Sequence, residues 1–478
     1  MIKIYLKKGR EDSLLRFHPW VFSGAIASMQ AQPAEGDLVA VYAADGRYLA
    51  CGHYQIGSIA VRILSFDGDP SSPSFWKDAL QRALDVRKAV GLFPSLLRAE
   101  GGVVLAQDGS DRPAMQDPSR LTSGPSLLRA EGGVGLAQDG SDRPAMQDPS
   151  RLASGPSLLR AEGGNGSEPP SPIPSSAETN CFRLVHGEGD GLPGLIIDWY
   201  DGVCVMQAHS VGMFRAKKQI CDALKEIFGE RLKAVYDKSS GTAPFKAGLD
   251  LVDGYIYTAP GFNDKEQVVL ENGHKFLVNW TEGQKTGFFL DQRENRALVG
   301  RYAFGRKVLN LFCYTGGFSV YALAAGALSC DSVDSSAKAV SLLQKNIELN
   351  FGAGAPHNSV CADAIEYLGN CPEGKYDLMI VDPPAFAKHR GVLKNALRAY
   401  QRLNAAAISK VASGGLVFTF SCSQVVDKEA FALAVFSAAA QTGRKVRILD
   451  RLCQPADHSV NIYHPEGEYL KGLLLYVE

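Results

Sequence analysis

The chain has 478 residues, 45% of them hydrophobic and 21% charged, with a formal net charge of −1. That length predicts about three domains, and the composition is that of a globular protein rather than a disordered or fibrous one. No apolar run reaches the ~18 residues of a membrane span, and near-zero charge excludes a global basic field for nucleic acid, leaving only local basic surfaces for such a partner.

The start, MIKIYLKKGREDSLLR, is charged and lacks the apolar core of a signal peptide, so a cytoplasmic location is expected. Residues 1–72 read as short strands broken by turns: IKIYL, GDLVAVYAADGRYLACGHYQ and SIAVRILSF. Their alternating apolar positions predict a small β-barrel or sheet. Residues 73–93 have helical spacing, with Phe75, Leu80, Leu84 and Val90 on one face.

A tandem repeat follows at 94–177. The 31 residues from Ser95 to Pro125 return almost unchanged from Ser126 to Pro156, and a third copy stops at Gly164. A solenoid needs about three or more complete units. These units are poor in large apolar residues, so they bury too little to offset ordering entropy. A dispensable, disordered insertion is expected.

Residues 178–265 alternate strands and Gly-rich turns with one helix, MFRAKKQICDALKEIFG, and predict a central α+β domain. From 266 to 478, strands alternate with helices, which predicts a doubly wound α/β domain with parallel strands. Its ligand is expected beyond the carboxyl ends of those strands.

The first strand of that domain ends in NLFCYTGGFS, where Phe312, Tyr314 and Thr315 precede Gly316 and Gly317. Two glycines let backbone approach a ligand closely. The next strand ends in Asp334, placed to take both hydroxyls of a ribose, and a third ends in Asp363, an acceptor for an adenine amine. There is neither a dinucleotide G-x-G-x-x-G nor a Walker sequence. The ordered set therefore predicts an adenosyl ligand without pyrophosphate, S-adenosylmethionine.

The fourth strand ends in VDPPAF. Asp382 stands at the strand end, Pro383 and Pro384 stiffen the loop, and Phe386 is expected to pack against a substrate base. The fifth strand, GGLVFTFSCS, brings Cys422 to the same rim. Methylating carbon 5 of a pyrimidine needs a thiolate to add to carbon 6 first. Cys422 would do this, in surroundings expected to favour its thiolate, while Asp382 holds the cytosine near its ring nitrogen and amine. The ten cysteines include no C-x-x-C pair, so no metal site or disulfide framework is expected.

HPWVFSGAI (18–26), RLVHGEGDGLPGLIIDWY (183–200), EGQKTGFFLDQRENR (282–296), FCYTGGFSVYAL, VDPPAFAK, FSCS and ADHSVNIYHPEGEYLKGLLL (456–475) resemble the bacterial 23S ribosomal RNA cytosine-5 methyltransferases with an N-terminal PUA domain. The resemblance covers nearly everything outside the repeat. It implies a PUA domain for RNA, a Rossmann-like class I methyltransferase domain that uses S-adenosylmethionine, and Cys422 as nucleophile. It further implies that Lys285, Thr286, Phe288, Asp291 and Arg293 help build the cofactor pocket, and that Lys7, Lys8 and Arg10 contact phosphate. Two other readings stay open. One is a guanine or exocyclic-amine methyltransferase, which needs no cysteine; the other is a non-catalytic RNA-binding assembly factor. The target nucleotide and the oligomeric state, a homodimer included, are not legible in the chain.

Overall fold

Alternation sets the N-terminal sheet. In Ile2–Leu6, Ile4 and Leu6 are buried while Lys3 faces solvent and Tyr5 is only half-buried, so one side of the strand enters a core. Six strands pair in the order Trp20–Phe22, Ile59–Ser65, Tyr48–Tyr54, Leu38–Tyr42, Ile2–Leu6 and Ile26–Met29. The two edge strands are joined by only three residues, Ser23–Ala25. A link of ~3.5 Å per residue cannot cross a flat six-stranded sheet, so the sheet curls back on itself. The expected barrel-like module is therefore met.

The computed structural model describes residues 1–92, 179–244, 248–264, 267–387 and 389–478. The tandem repeat at 94–177 lies outside the described residues.

The helix Phe75–Ala89 buries Phe75, Trp76, Ala79, Leu80, Ala83, Leu84 and Arg87, spaced three and four apart. Val90 does not join this face; it caps the helix and is exposed, because the helix ends before it. The helix shares a core with a five-stranded sheet ordered Gly254–Thr258, Ala234–Asp237, Val203–Ala208, Leu195–Tyr200 and Cys181–His186. Its parallel pair, Val203–Ala208 with Ala234–Asp237, is connected through the helix Lys217–Phe228, whose Ile220, Leu224 and Phe228 also enter that core.

A hairpin, Gln267–Glu271 with His274–Val278, and the helix Arg293–Ala303 precede the large sheet. Seven strands then run in the order His357–Cys361, Ser329–Asp334, Lys307–Leu311, Leu378–Val381, Gly415–Ser421, Lys471–Val477 and Val446–Cys453. The first five are parallel, as expected. Only the sixth is reversed: Lys471–Val477 runs antiparallel to both its neighbours, so the edge strand Val446–Cys453 points the same way as the first five. The reversal carries the start of that strand to the rim where the parallel strands end, with Lys471 opposite Ser421. The strand order departs in both directions from Lys307–Leu311, which opens a crevice at its carboxyl end.

Buried ion pairs tie these parts together. Arg87 is fully buried, forms a two-pronged pair with Asp190, and donates to the carbonyls of Arg183 at 2.7 Å and Asp457 at 2.5 Å. Asp457 in turn accepts from both terminal nitrogens of Arg293, at 3.0 and 2.9 Å, and from the Arg183 amide at 3.0 Å. All ten cysteines are free thiols, and among the described residues no helix is long and apolar enough to cross a membrane.

Removing one partner of such a pair strands a buried charge. Arg87→Ala is expected to lower the unfolding free energy by about 3–5 kcal/mol in a denaturant titration. Arg87→Lys is expected to recover little of it, because a point charge cannot replace a two-pronged pair and two carbonyl contacts.

Candidate active site at the carboxyl ends of the parallel strands

The crevice is a cleft of about 240 Å³. Strand ends supply Phe312, Tyr314, Thr315, Gly317, Asp334, Asp363, Asp382, Pro383, Pro384 and Cys422, and the segment before the first strand adds Lys285, Phe288 and Asp291. Thus most of the residues singled out from the sequence do converge on one cavity.

The glycine turn is shaped by sterics. Gly316 has φ +82° and caps the helix Gly317–Ala324; a Cβ there would lie 2.0 Å from Leu343 Cδ1. Gly316 does not itself line the cleft, whereas Gly317 does. Phe312 and Tyr314 also hold left-handed backbone, at φ +57° and +48°, an arrangement uncommon outside glycine and concentrated at functional turns. The Tyr314 amide donates to Asp334 Oδ2 at 2.9 Å, and the Ser336 amide donates to Oδ1 at 2.9 Å. Asp334 is therefore fixed by two backbone donors, with lone pairs left over for a ribose. Thr315 Oγ1 is buried with no partner among the described residues. Asp363 lines the cleft but also caps the next helix, accepting from the amides of Ile365 and Glu366, each at 2.9 Å. A fixed acid at the second strand end, an unsatisfied hydroxyl and a backbone bared of side chains suit an adenosyl ligand.

Two residues expected in the pocket are elsewhere. Thr286 is fully buried, donates to Asp198 Oδ2 at 2.6 Å and accepts from the Tyr200 hydroxyl at 3.1 Å. Arg293 is engaged by Asp457 and lines a different cavity. Both sit one position away from cleft residues, but their side chains turn to the domain junction instead. Phe386 also misses the cleft; it is half-buried against Tyr400, ring centroids 4.7 Å apart. Lys7, Lys8 and Arg10 are exposed on the N-terminal module, where Lys7 Nζ donates to the Gly24 carbonyl at 2.9 Å; none lines the cleft.

The reaction end of the cleft is crowded with charge. Gln292 Nε2 donates to Asp382 Oδ2 at 2.9 Å, and Asn295 Nδ2 donates to Gln292 Oε1 at 2.6 Å, which orients the Gln292 amide. Enclosure and then the neighbouring Asp291 push the Asp382 carboxyl up to about 7, against the Gln292 hydrogen bond and Lys285. Asp291 goes the other way. Burial alone would raise it, but Lys285, His458 and the Tyr469 hydroxyl hold it well below the usual carboxylate range. Cys422 is pushed up to about 11, by burial first and then by the charge of Asp382, with Lys285 opposing. The expectation that its surroundings favour the thiolate is thus not met: burial and two carboxylates outweigh the exposed Lys285 and the buried Lys471, which also acts on the sulfur.

Gln292, Arg296 and Leu470 also line the cleft and lie outside the set expected from the sequence. Gln292 is adjacent to a residue of that set, within GFFLDQR. Leu470 and its neighbour Tyr469 reach the rim only because the sixth strand in spatial order is reversed. Arg296 pairs with Glu271 at 2.6 Å and sits over the Phe288 ring at 4.7 Å, bracing the cleft wall against the hairpin. Among the described residues no group of three or more His, Cys, Asp or Glu is arranged to hold a metal ion.

A family model for a PUA-like domain matches residues 4–66, and one for an S-adenosylmethionine-dependent methyltransferase matches residues 252–460. The chain is 33% identical to the ribosomal RNA large subunit methyltransferase I of Aeromonas hydrophila and 34% identical to that of Shewanella amazonensis. Each alignment covers 99% of this chain and 98% of the relative. A SAM-dependent methyltransferase structure from Streptococcus mutans superposes with a TM-score of 0.69, and the methyltransferase SMU.776 complexed with SAH with 0.70. Both are 20% identical, with the whole of each chain covered, and show a shared fold. The expected cofactor, S-adenosylmethionine, and the PUA-like and methyltransferase folds are met. Identity of about one third over nearly the full length, with a methyltransferase family model matched and a cleft whose lining suits an adenosyl group, leads to one conclusion: the chain belongs to the ribosomal RNA large subunit methyltransferase I family of S-adenosylmethionine-dependent enzymes.

Proposed function

We propose that the protein methylates carbon 5 of a cytosine in 23S ribosomal RNA through a covalent adduct with Cys422. The observation that carries this reading is a cysteine and a carboxylate with a near-neutral pKa lining one cofactor cleft. An amine methyltransferase has no use for the thiol. The ribosomal RNA substrate is supported by what the relatives are named for.

Bound S-adenosylmethionine would supply an electrophilic methyl group. Asp334 would take its ribose, Asp363 its adenine amine, and the Phe312–Gly317 turn its backbone-facing side, with Phe288 as an apolar wall. Lys285, which lines the same cleft, would meet the methionyl carboxylate. Cys422 would add to carbon 6 of the cytosine, and Asp382 would hold the ring nitrogen as that nitrogen gains charge. Pro383 and Pro384 keep that carboxyl on a stiff loop. Lys7, Lys8 and Arg10 are assigned to RNA phosphates on the N-terminal module.

With the thiol titrating near 11 and the carboxyl near 7, the pair holds one proton between those pH values. That single-proton form includes the reactive arrangement, thiolate beside neutral Asp382. The proton leaving Cys422 can therefore reach Asp382 and pass to the cytosine ring nitrogen.

Unmodified 23S ribosomal RNA incubated with the purified protein and S-adenosylmethionine is expected to yield 5-methylcytidine on nucleoside mass analysis. An N-methylated nucleoside, or no methylation, would count against the reading. Cys422→Ser is expected to lose methyl transfer by on the order of 10⁴-fold or more while S-adenosylmethionine affinity is kept. Full activity in that variant would sink the covalent mechanism. The kcat/KM profile is expected to rise through about pH 7, as Asp382 becomes able to accept the thiol proton. Asp382→Asn should remove that limb along with most of the activity; a limb that persists would assign it to another group.

A further inference from the structure

We propose that Asp291 is the general base that takes the proton from carbon 5 of the target cytosine, with Oδ1 as the acceptor atom. The inference rests on the carbon-5 reading above. Asp291 is 5% exposed and lines the same cleft as Cys422 and Asp382.

Its two oxygens are not equivalent. Oδ2 accepts from the Tyr469 hydroxyl at 2.6 Å and lies 3.7 Å from Lys285 Nζ. Oδ1 is buried and has no hydrogen-bond partner among the described residues. A buried carboxylate oxygen without a donor is costly and calls for an explanation. In a reaction cleft, a substrate that brings it a proton is such an explanation. Tyr469 and Lys285 hold the group ionised, in the form that can accept. Asp382, the other carboxylate of this end, is bonded to Gln292 and occupied with the ring nitrogen.

The chemistry dictates on which side of the ring a base is needed. A thiol and a methyl donor cannot both stand over the same face of a flat pyrimidine. Methyl entry from the donor's face turns the carbon-5 hydrogen toward the face that carries sulfur. Asp291 is a carboxylate whose charge acts directly on Cys422. Asp291 Oδ1 then takes the proton, the electron pair of the carbon–hydrogen bond becomes the carbon 5–carbon 6 double bond, and the carbon 6–sulfur bond breaks. Its pair returns to Cys422 as thiolate.

The test uses the full chain with in vitro transcribed 23S ribosomal RNA and S-adenosylmethionine carrying a labelled methyl group. A transcript containing 5-fluorocytidine controls for the underlying reading: fluorine cannot leave as a proton, so wild-type protein should form an RNA adduct stable to SDS. With ordinary cytidine, Asp291→Asn is expected to accumulate that adduct, now bearing the label, while turnover falls by at least about 100-fold. Its S-adenosylmethionine affinity, measured by calorimetry, is expected to match wild type. Wild-type turnover in the variant overturns the assignment. So does slow turnover without an adduct, which would put the block before attack on carbon 6. Loss of cofactor binding overturns it too, and would make Asp291 a cofactor ligand. Absence of the 5-fluorocytidine adduct in wild type overturns the carbon-5 reading itself.

Discussion

The carboxylate of Asp457 is the point on which the arrangement of this molecule depends. It is fully buried, and it accepts from Arg293 on the helix before the large sheet and from the Arg183 amide in the central sheet. Its own carbonyl accepts from Arg87, on the helix that follows the N-terminal module, and Arg87 is closed by Asp190. Charges removed from water are tolerated only when their partners are placed well. The central sheet with its Phe75–Ala89 helix and the part built on the large sheet therefore meet in one permitted geometry. The loop that bears Asp457 continues to Tyr469, whose hydroxyl holds Asp291 in the cleft. The junction and the reaction end are thereby mechanically one object.

The reaction end itself is a problem of too much negative charge in a small enclosed space. Asp291 and Asp382 repel one another, and the conflict is resolved unequally. Lys285, His458 and Tyr469 keep Asp291 ionised, which leaves Asp382 to rise toward neutrality. Two like groups driven apart in this way suit opposite tasks, one accepting and one donating a proton. The same crowding raises the pKa of the thiol, so the proposed mechanism calls for a proton acceptor near at hand rather than a cationic pocket.

Much of the cofactor side is legible in the chain alone, because strand-end residues follow the sheet's period. Thr315, Gly317, Asp334, Asp382 and Cys422 each lie at or just past the end of a parallel strand expected from the spacing, and all line the cleft. The GQKTGFFLDQR segment is harder to read. It is not regular structure, and neighbouring side chains point to different places: Lys285 and Asp291 to the cleft, Thr286 to Asp198, Arg293 to Asp457. Periodicity offers no rule for such a segment. Phe386 departs from expectation for a related reason: the Pro383–Pro384 loop turns its ring onto Tyr400, and no local pattern encodes that.

Local spacing along the chain is enough to give the alternation of the parallel strands with helices, the short-stranded N-terminal module, and the identity of the residues at the parallel strand ends. Sterics at Gly316 and the paired prolines add the shape of two turns. Three features arise only on folding: the Lys471–Val477 strand runs backwards, Tyr469 therefore meets Asp291, and the cleft raises rather than lowers the pKa of the Cys422 thiol. Strand direction rests on pairing between distant segments, and a pKa is the sum of burial and every nearby charge. Both are properties of what the chain brings together in space, and spacing along the chain does not contain them.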